Sequence, residues 1–252
     1  MASTRDALIA FWREEEAVPF QGWDFSYLHG RFHESPLPWD YMALARNLLP
    51  DAANVLDIGT GGGERLLALR DVWPPAVTVT EGWPPNVALA AERLGSLGVR
   101  IVAANHHPLP FAPGSFERII DRHTGFRSWD IARILAPGGI FLTQQVDALW
   151  GWDLQVAMGM EVVERPSSYE LALQYLRNET NLVIERAASN TGTMTFSDIG
   201  AVVYYLKAIP WMVPGFSVGS HLPYLLALQD RLERGEPLQF ETRQYLLQAQ
   251  RP

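Results

Sequence analysis

The chain has 252 residues, enough to bury a substantial core as one large domain or one domain with a cap. Its formal net charge is −8, its only lysine is Lys207 and no Lys/Arg cluster occurs, so a phosphate-tracking nucleic-acid surface is not expected. Cysteine is absent, which excludes disulfides, thiolate metal sites, iron–sulfur clusters and cysteine nucleophiles.

No apolar run approaches roughly 18 residues, and Met1 to Glu16 lacks the apolar core of a signal peptide, so a cytoplasmic protein with no membrane segment is expected. Residues 1–50 read as an N-terminal helical and aromatic cap. Ser3 with Asp6 suits the start of a helix carrying Leu8, Ile9, Phe11 and Trp12 on one side. A loop with Phe20, Trp23, Asp24, Phe25, Tyr27, His29 and His33 follows, and Pro38 opens a second helix, Trp39 to Leu49. Aromatics at that density form either a packed plug or a binding surface.

Residues 51–147 carry the chemistry. Val55-Leu56-Asp57-Ile58 is an apolar strand that runs into glycines at 59, 61, 62 and 63, and a helix is expected to begin near Glu64. Such a helix start offers unpaired N–H groups and a positive dipole end to a ligand. The dinucleotide pattern G-x-G-x-x-G fails because Glu64 stands at its third glycine, and the phosphate-binding loop fails because no lysine follows. Val77-Thr78-Val79-Thr80 predicts a second strand ending at Glu81, 22 residues after Gly59, where a carboxylate can accept both hydroxyls of a ribose. Pro84 and Pro85 open a helix over Asn86 to Leu97. Val99 to Ala103 predicts a third strand, followed by Asn105, His106, Leu109-Pro110-Phe111 and Ser115-Phe116. Asp121 closes a fourth strand, and Pro137-Gly138-Gly139 turns into a fifth.

These features in this order resemble the class I S-adenosyl-L-methionine-dependent methyltransferases of the small-molecule branch. The resemblance rests on Asp57-x-Gly59-x-Gly61-x-Gly63, Glu81, Leu109-Pro110-Phe111 and Pro137-Gly138-Gly139, over about residues 51 to 145. It implies an α/β, Rossmann-like seven-stranded sheet with an antiparallel last strand. Residues 51–147 would be the cofactor-binding core, and 148–252 a helical insertion plus strands six and seven. The implied cofactor is S-adenosyl-L-methionine (SAM). Gly59, Thr60 and Gly61 would then approach its methionine part, with Asp57 organising the loop. Glu81 would hold the ribose with Gly82 beside it, and Asn105 with His106 would meet the adenine. Asn105 stands where the family carries an acid; its amide oxygen still accepts from an amino group. His123 and Phe126 would face the transferring methyl, with His123 the one candidate general base. Trp23, Trp39, His123 and Trp211 are candidate walls of the acceptor site.

The remaining chain predicts a helix from Ser167 to about Asn178 and strand pieces Leu182 to Ala187 and Thr193 to Phe196 around a polar turn. A helix from Ser197 to Ile209 and an apolar turn Trp211 to Phe216 follow, then a helix His221 to Arg234 and a last strand Phe240 to Ala249. The histidine pairs 29/33 and 106/107 lack a ligand set, so no metal is expected. The expected activity is methyl transfer to a small molecule of unknown identity. Two alternatives remain: an RNA base methyltransferase, from the Ala208-Ile209-Pro210-Trp211 turn, and a non-catalytic SAM-binding module. A dehydrogenase is disfavoured by Glu64. Oligomeric state is not legible.

Overall fold

The computed structural model describes residues 4–20, 24–104, 107–161 and 164–252. The first half contains α1 (Thr4–Ala17), β1 (Phe32–Glu34), α2 (Tyr41–Leu48), β2 (Asn54–Ile58), α3 (Glu64–Leu67), β3 (Ala76–Glu81), α4 (Pro84–Leu94), β4 (Arg100–Ala103) and β5 (Phe116–Arg122). The second contains α5 (Ser128–Ile134), β6 (Leu135–Val146), α6 (Trp152–Ala157), α7 (Ser168–Glu179), β7 (Val183–Phe196), α8 (Ile199–Ala208), α9 (Leu222–Glu233) and β8 (Leu238–Gln250). The chain forms two compact units, and the long strands β7 and β8 contribute residues to both.

One unit comprises Leu37–Ala148, Pro166–Asn190 and Gln244–Pro252. Its strand order is β7-β8-β6-β5-β2-β3-β4, with β2 parallel to β3 and β5, β3 parallel to β4, and β5 parallel to β6. The last strand runs against β6, pairing Ile140 with Gln250 and Val146 with Gln244. This is the Rossmann-like seven-stranded arrangement with an antiparallel last strand. Chain direction reverses at β2: β3 and β4 step outward on one side, and β5 returns on the other. Open α/β sheets bind ligands at that switch, outside the carboxyl ends of the strands.

Alternation along the strands divides the apolar side chains between two layers. Val55, Val79, Ile120, Leu142 and Leu246 pack with Tyr41, Ala45 and Leu94 from α2 and α4. Their neighbours Leu56, Ile119, Phe141, Tyr245 and Leu247 pack with Ile131, Ala172 and Leu176 from α5 and α7. The centre of a strand buried on both faces must be apolar, and Val55-Leu56 with Ile58 in β2 and Ile119-Ile120 in β5 meet that condition, which makes these strands legible in the sequence.

The other unit comprises residues 1–36, 149–165 and 191–243, of which Met1–Ser3, Gln21–Trp23 and Val162–Val163 lie outside the description. Its centre is α8, apolar on all sides except Lys207. A helix of that kind must be surrounded, and α8 is enclosed by Trp12, Leu28, Phe196, Leu225 and Phe240 among others. Asp198 caps α8 by accepting from the Ala201 amide (2.9 Å) and binds Arg31 through both carboxylate oxygens at 2.9 and 2.7 Å. Arg31 also pairs with the buried Glu15 of α1 at 2.9 Å.

Four sequence-based expectations are corrected. The helix after the glycines is a single turn, Glu64–Leu67, followed by a 3-10 turn Arg70–Val72, so it offers little dipole to a ligand. The second helix begins at Tyr41, because Asp40 rather than Pro38 caps it, accepting from the Ala43 amide at 3.0 Å. The two strand pieces near 182–196 are one 14-residue strand. Its polar middle is tolerated because this part of β7 lies at the edge of the seven-stranded order, where backbone pairing rather than apolar content holds a strand. An eighth strand, β1, pairs antiparallel with Met194–Phe196 inside the aromatic loop. Three residues are too few to show a period of two.

Candidate functional site

Strand register brings Ile58 beside both Thr80 and Asp121, and Arg122 beside Gln144, so the chain leaves these strands at one end of the sheet. The glycine bend is built by close approach. Gly59 has φ +65°, and a Cβ there would lie 2.0 Å from the Thr124 hydroxyl oxygen, so no side chain fits without moving the loop after β5. Gly61 has φ +63° but nothing within 4 Å of a Cβ, leaving its face open. The Gly59 amide donates to the Thr80 hydroxyl (3.2 Å) and the Thr60 amide to the Thr80 carbonyl (3.0 Å).

Glu81 meets this bend. Its Oε2 accepts from the Gly61 amide at 2.8 Å, and its Oε1 from the amides of Gly82 and Trp83 at 2.8 and 2.9 Å. A carboxylate has about four lone-pair directions, so acceptor capacity remains. Trp83 beside it is 55% exposed.

Under the bend lies a cavity of about 50 Å³ lined by Tyr41, Asp57, Thr60, Arg65 and Arg122, among others. Burial drives Asp57 up to about 7, with the charge of Glu81 adding to the effect. Thr60 lies close enough to lower that value, yet its hydroxyl makes no hydrogen bond of normal geometry. Asp121, fully buried, is pushed well above the usual carboxylate range by burial and by Asp57, and the buried Tyr41 phenol is raised in the same way. Asp121 Oδ1 accepts from the Thr124 amide at 3.3 Å; Gln145 lies close enough to offset part of the rise, yet Oδ2 makes no hydrogen bond of normal geometry. Buried polar atoms are nearly always satisfied, so the orphaned Asp121 oxygen and Thr60 hydroxyl mark a place for a polar ligand group. Carboxylates and guanidiniums together suit a ligand end that carries both signs of charge.

His123 adopts φ +65°, rare outside glycine. Its Nε2 lies 3.1 Å from Gln144 Nε2 and 3.2 Å from Gln244 Oε1, and Trp39 Nε1 donates to Gln144 Oε1 at 3.0 Å. Burial and the Arg122 charge pull the imidazole down to about 3. More than a third of the residue remains accessible to solvent, which softens that shift without changing its direction. Both effects lower the basicity of His123, the candidate general base. Phe126, partly buried, packs edge-on against Phe141 with ring centroids 5.0 Å apart. Trp211 belongs to the other unit and is 64% exposed. Trp23, Asn105 and His106 lie outside the described residues.

His107, next to the unassigned pair, is held by Asp130: its Nδ1 lies 2.6 Å from Oδ2, which also accepts from the Leu109 amide at 2.7 Å. Burial pushes Asp130 up, but these bonds and the Arg133 guanidinium outweigh it and hold the carboxyl below its ordinary value. Arg133 also binds the carbonyls of Leu109 and Phe111, so one buried ion pair secures the Leu109-Pro110-Phe111 turn. Sequence reasoning missed Tyr41, Thr124, Arg65, Gln244 and the ligand capacity of Asp121. None of them belongs to a local motif.

A larger open concavity of about 590 Å³ in the other unit is lined by Asp153, Arg231, Glu236 and Phe240, among others. Among the described residues no buried unpartnered side-chain atom lines it. No cluster of three or more His, Cys, Asp or Glu able to hold a metal occurs among the described residues.

Residues 56–143 match a family profile described as a methyltransferase domain. Demethylmenaquinone methyltransferase of Thermus thermophilus is 32% identical over 114 residues, covering 41% of this chain. The match spans about half, 51%, of that relative's length. The fold is similar to that of a candidate methyltransferase from Bacillus halodurans C-125, with TM-score 0.59 and 15% identity over 84% of this chain and 97% of that one. It is also similar to geranyl diphosphate methyltransferase in complex with SAM, with TM-score 0.51, 14% identity and 84% coverage of each chain.

Proposed function

We propose that this chain, whose residues 56–143 belong to the methyltransferase domain family, uses S-adenosyl-L-methionine to methylate a small-molecule acceptor. SAM supplies a methyl group already activated on a sulfonium. The protein then has to orient donor and acceptor and exclude water.

The observation that carries this reading is the conjunction of the open face at Gly61 with Glu81, tied to that loop by the Gly61 amide. Glu81 accepts the ribose hydroxyls through its remaining lone pairs, with Gly82 beside it. The exposed Trp83 indole offers a flat face to the base, and Asn105 with His106 are proposed to meet the adenine edge. Gly59, Thr60 and Gly61 lie along the methionine part. The unpaired Asp121 oxygen, the Thr60 hydroxyl and Asp57 take its ammonium, and Arg65 and Arg122 its carboxylate. Trp39 and His123 stand on the acceptor side.

A small acceptor is supported by the name of the Thermus relative and by the net charge of −8, which works against a polyphosphate partner. Titration calorimetry with SAM tests the cofactor. Binding is expected, and Glu81→Gln should weaken it roughly tenfold, about 1.4 kcal/mol. Absence of heat with the wild-type chain would defeat the proposal. Label transfer from methyl-tritiated SAM into a metabolite extract separates an enzyme from a non-catalytic binding module.

A further inference from the structure

On the acceptor side, one polar array has its hydrogen-bond directions set by a group that cannot reverse. An indole nitrogen only donates, so Trp39 Nε1 at 3.0 Å requires the oxygen of Gln144 to face it. The Gln144 amino group then faces the opposite way, 2.9 Å from Gln244 Oε1 and 3.1 Å from His123 Nε2. It has two hydrogens for these two positions. A proton on His123 Nε2 could reach Gln244 Oε1 at 3.2 Å, but it would confront the Gln144 amino group donor to donor and leave one of that group's hydrogens without an acceptor; with the proton on Nδ1, the Nε2 lone pair accepts and both Gln144 hydrogens are used. Gln144 and Gln244 are buried, so leaving either bond unmade is costly.

The backbone agrees. His123 sits at φ +65° and its amide donates to the carbonyl of the same Gln144 at 2.9 Å. A strained residue held at both main chain and side chain is one whose orientation the surroundings over-determine. No described protein group hydrogen-bonds its Nδ1, and the residue is exposed to solvent.

We infer that Trp39, through Gln144, holds His123 as the Nδ1–H tautomer, which presents that N–H as a donor to an oxyanion of the acceptor, a phenolate or enolate. The inference rests on the methyltransferase reading and names the acceptor class for it. The donor favours the ionised oxygen, so the proton leaves to water when the acceptor ionises and no protein base is required. The oxygen keeps lone pairs for attack: a new bond forms to the methyl carbon, the carbon–sulfur bond breaks, and the anionic and sulfonium charges cancel. Gln144 and Trp39 are positioning residues in this scheme.

The test uses the full chain labelled with ¹⁵N-histidine, without ligand. Long-range ¹H–¹⁵N correlation spectra show which ring nitrogen carries the proton, and His123→Asn, tolerant of positive φ, identifies the signal. A proton on Nδ1 is expected, moving to Nε2 in Gln144→Glu, where only acceptors face the ring. A wild-type proton on Nε2, or a tautomer unmoved by Gln144→Glu, overturns the relay. With 4-nitrophenol as probe, the bound phenolate seen by absorbance should be held at least about tenfold tighter by wild type than by His123→Asn, the difference that one charge-assisted bond gives. Equal binding, or none to either, overturns the donor role. Failure of SAM to bind while both results stand would defeat the methyltransferase reading and leave the oxyanion site intact.

Discussion

Asp57 and Gly59 show how single residues set this site's character. The carboxyl of Asp57 is raised to about 7 in the fold against an unfolded value near 3.9, so between those values the folded chain binds the extra proton. Stability from this group therefore falls as pH rises through that window, and the full cost is present above it. Asp57→Asn should leave stability unchanged near pH 4 and raise it by up to about 4 kcal/mol above pH 7, seen as a widening gap between urea midpoints. A gap that did not vary with pH would show that burial does not govern Asp57. At Gly59 a methyl group meets Thr124 at 2.0 Å on a backbone that disfavours L residues. Gly59→Ala should cost about 2–4 kcal/mol, and Thr124→Ala in that background, which removes the hydroxyl, should recover part of it, a coupling that urea denaturation of the four proteins measures.

The element scale explains how the helices are locked rather than merely packed. Arg31 joins Glu15 of α1 to the Asp198 cap of α8, and Gly200 allows the approach, since a Cβ there would lie under 3 Å from Phe11, Arg31 and Glu15. Glu15 is 4% exposed and one of its oxygens has no partner, so removing the arginine strands a buried charge. Arg31→Met should cost about 3–5 kcal/mol, and adding Glu15→Met should restore much of it, because breaking a buried pair is worse than replacing it. Thermal or urea unfolding of the single and double variants checks this; additive losses would contradict it. In the same way Asp130 secures the Leu109-Pro110-Phe111 turn that the sequence shows only as a motif.

At the scale of the whole molecule, two units each carry their own apolar core, and the glycine bend, Glu81 and the His123 array all belong to one of them. No helix among the described residues is long and apolar enough to cross a membrane. SAM at about 100 times its dissociation constant should add about 2.7 kcal/mol to unfolding. For a chain of this size that is a rise in melting temperature of roughly 5–10 °C. An unchanged melting curve at saturation would count against the cofactor assignment. Because the proposed contacts involve no phosphate, the affinity should change little with salt, unlike that of a nucleic-acid ligand.

By itself the sequence determined the β2–β6 framework, the bend at Gly59 to Gly63 and the acid at 81, because these are local signals. Doubly buried strands must be apolar at their centres, and a backbone with positive φ at a crowded bend must be glycine. Tertiary structure alone decided β1 and the continuity of β7, where short length or edge position weakens the pattern. It alone decided that Asp121 has an unpaired oxygen, that Phe126 packs on Phe141, and that His123 meets Gln144 and Gln244. The reason is distance along the chain. Trp39 reaches Gln144 across 105 residues and Gln144 reaches Gln244 across 100, so the direction of each hydrogen bond exists only once the sheet has brought them together.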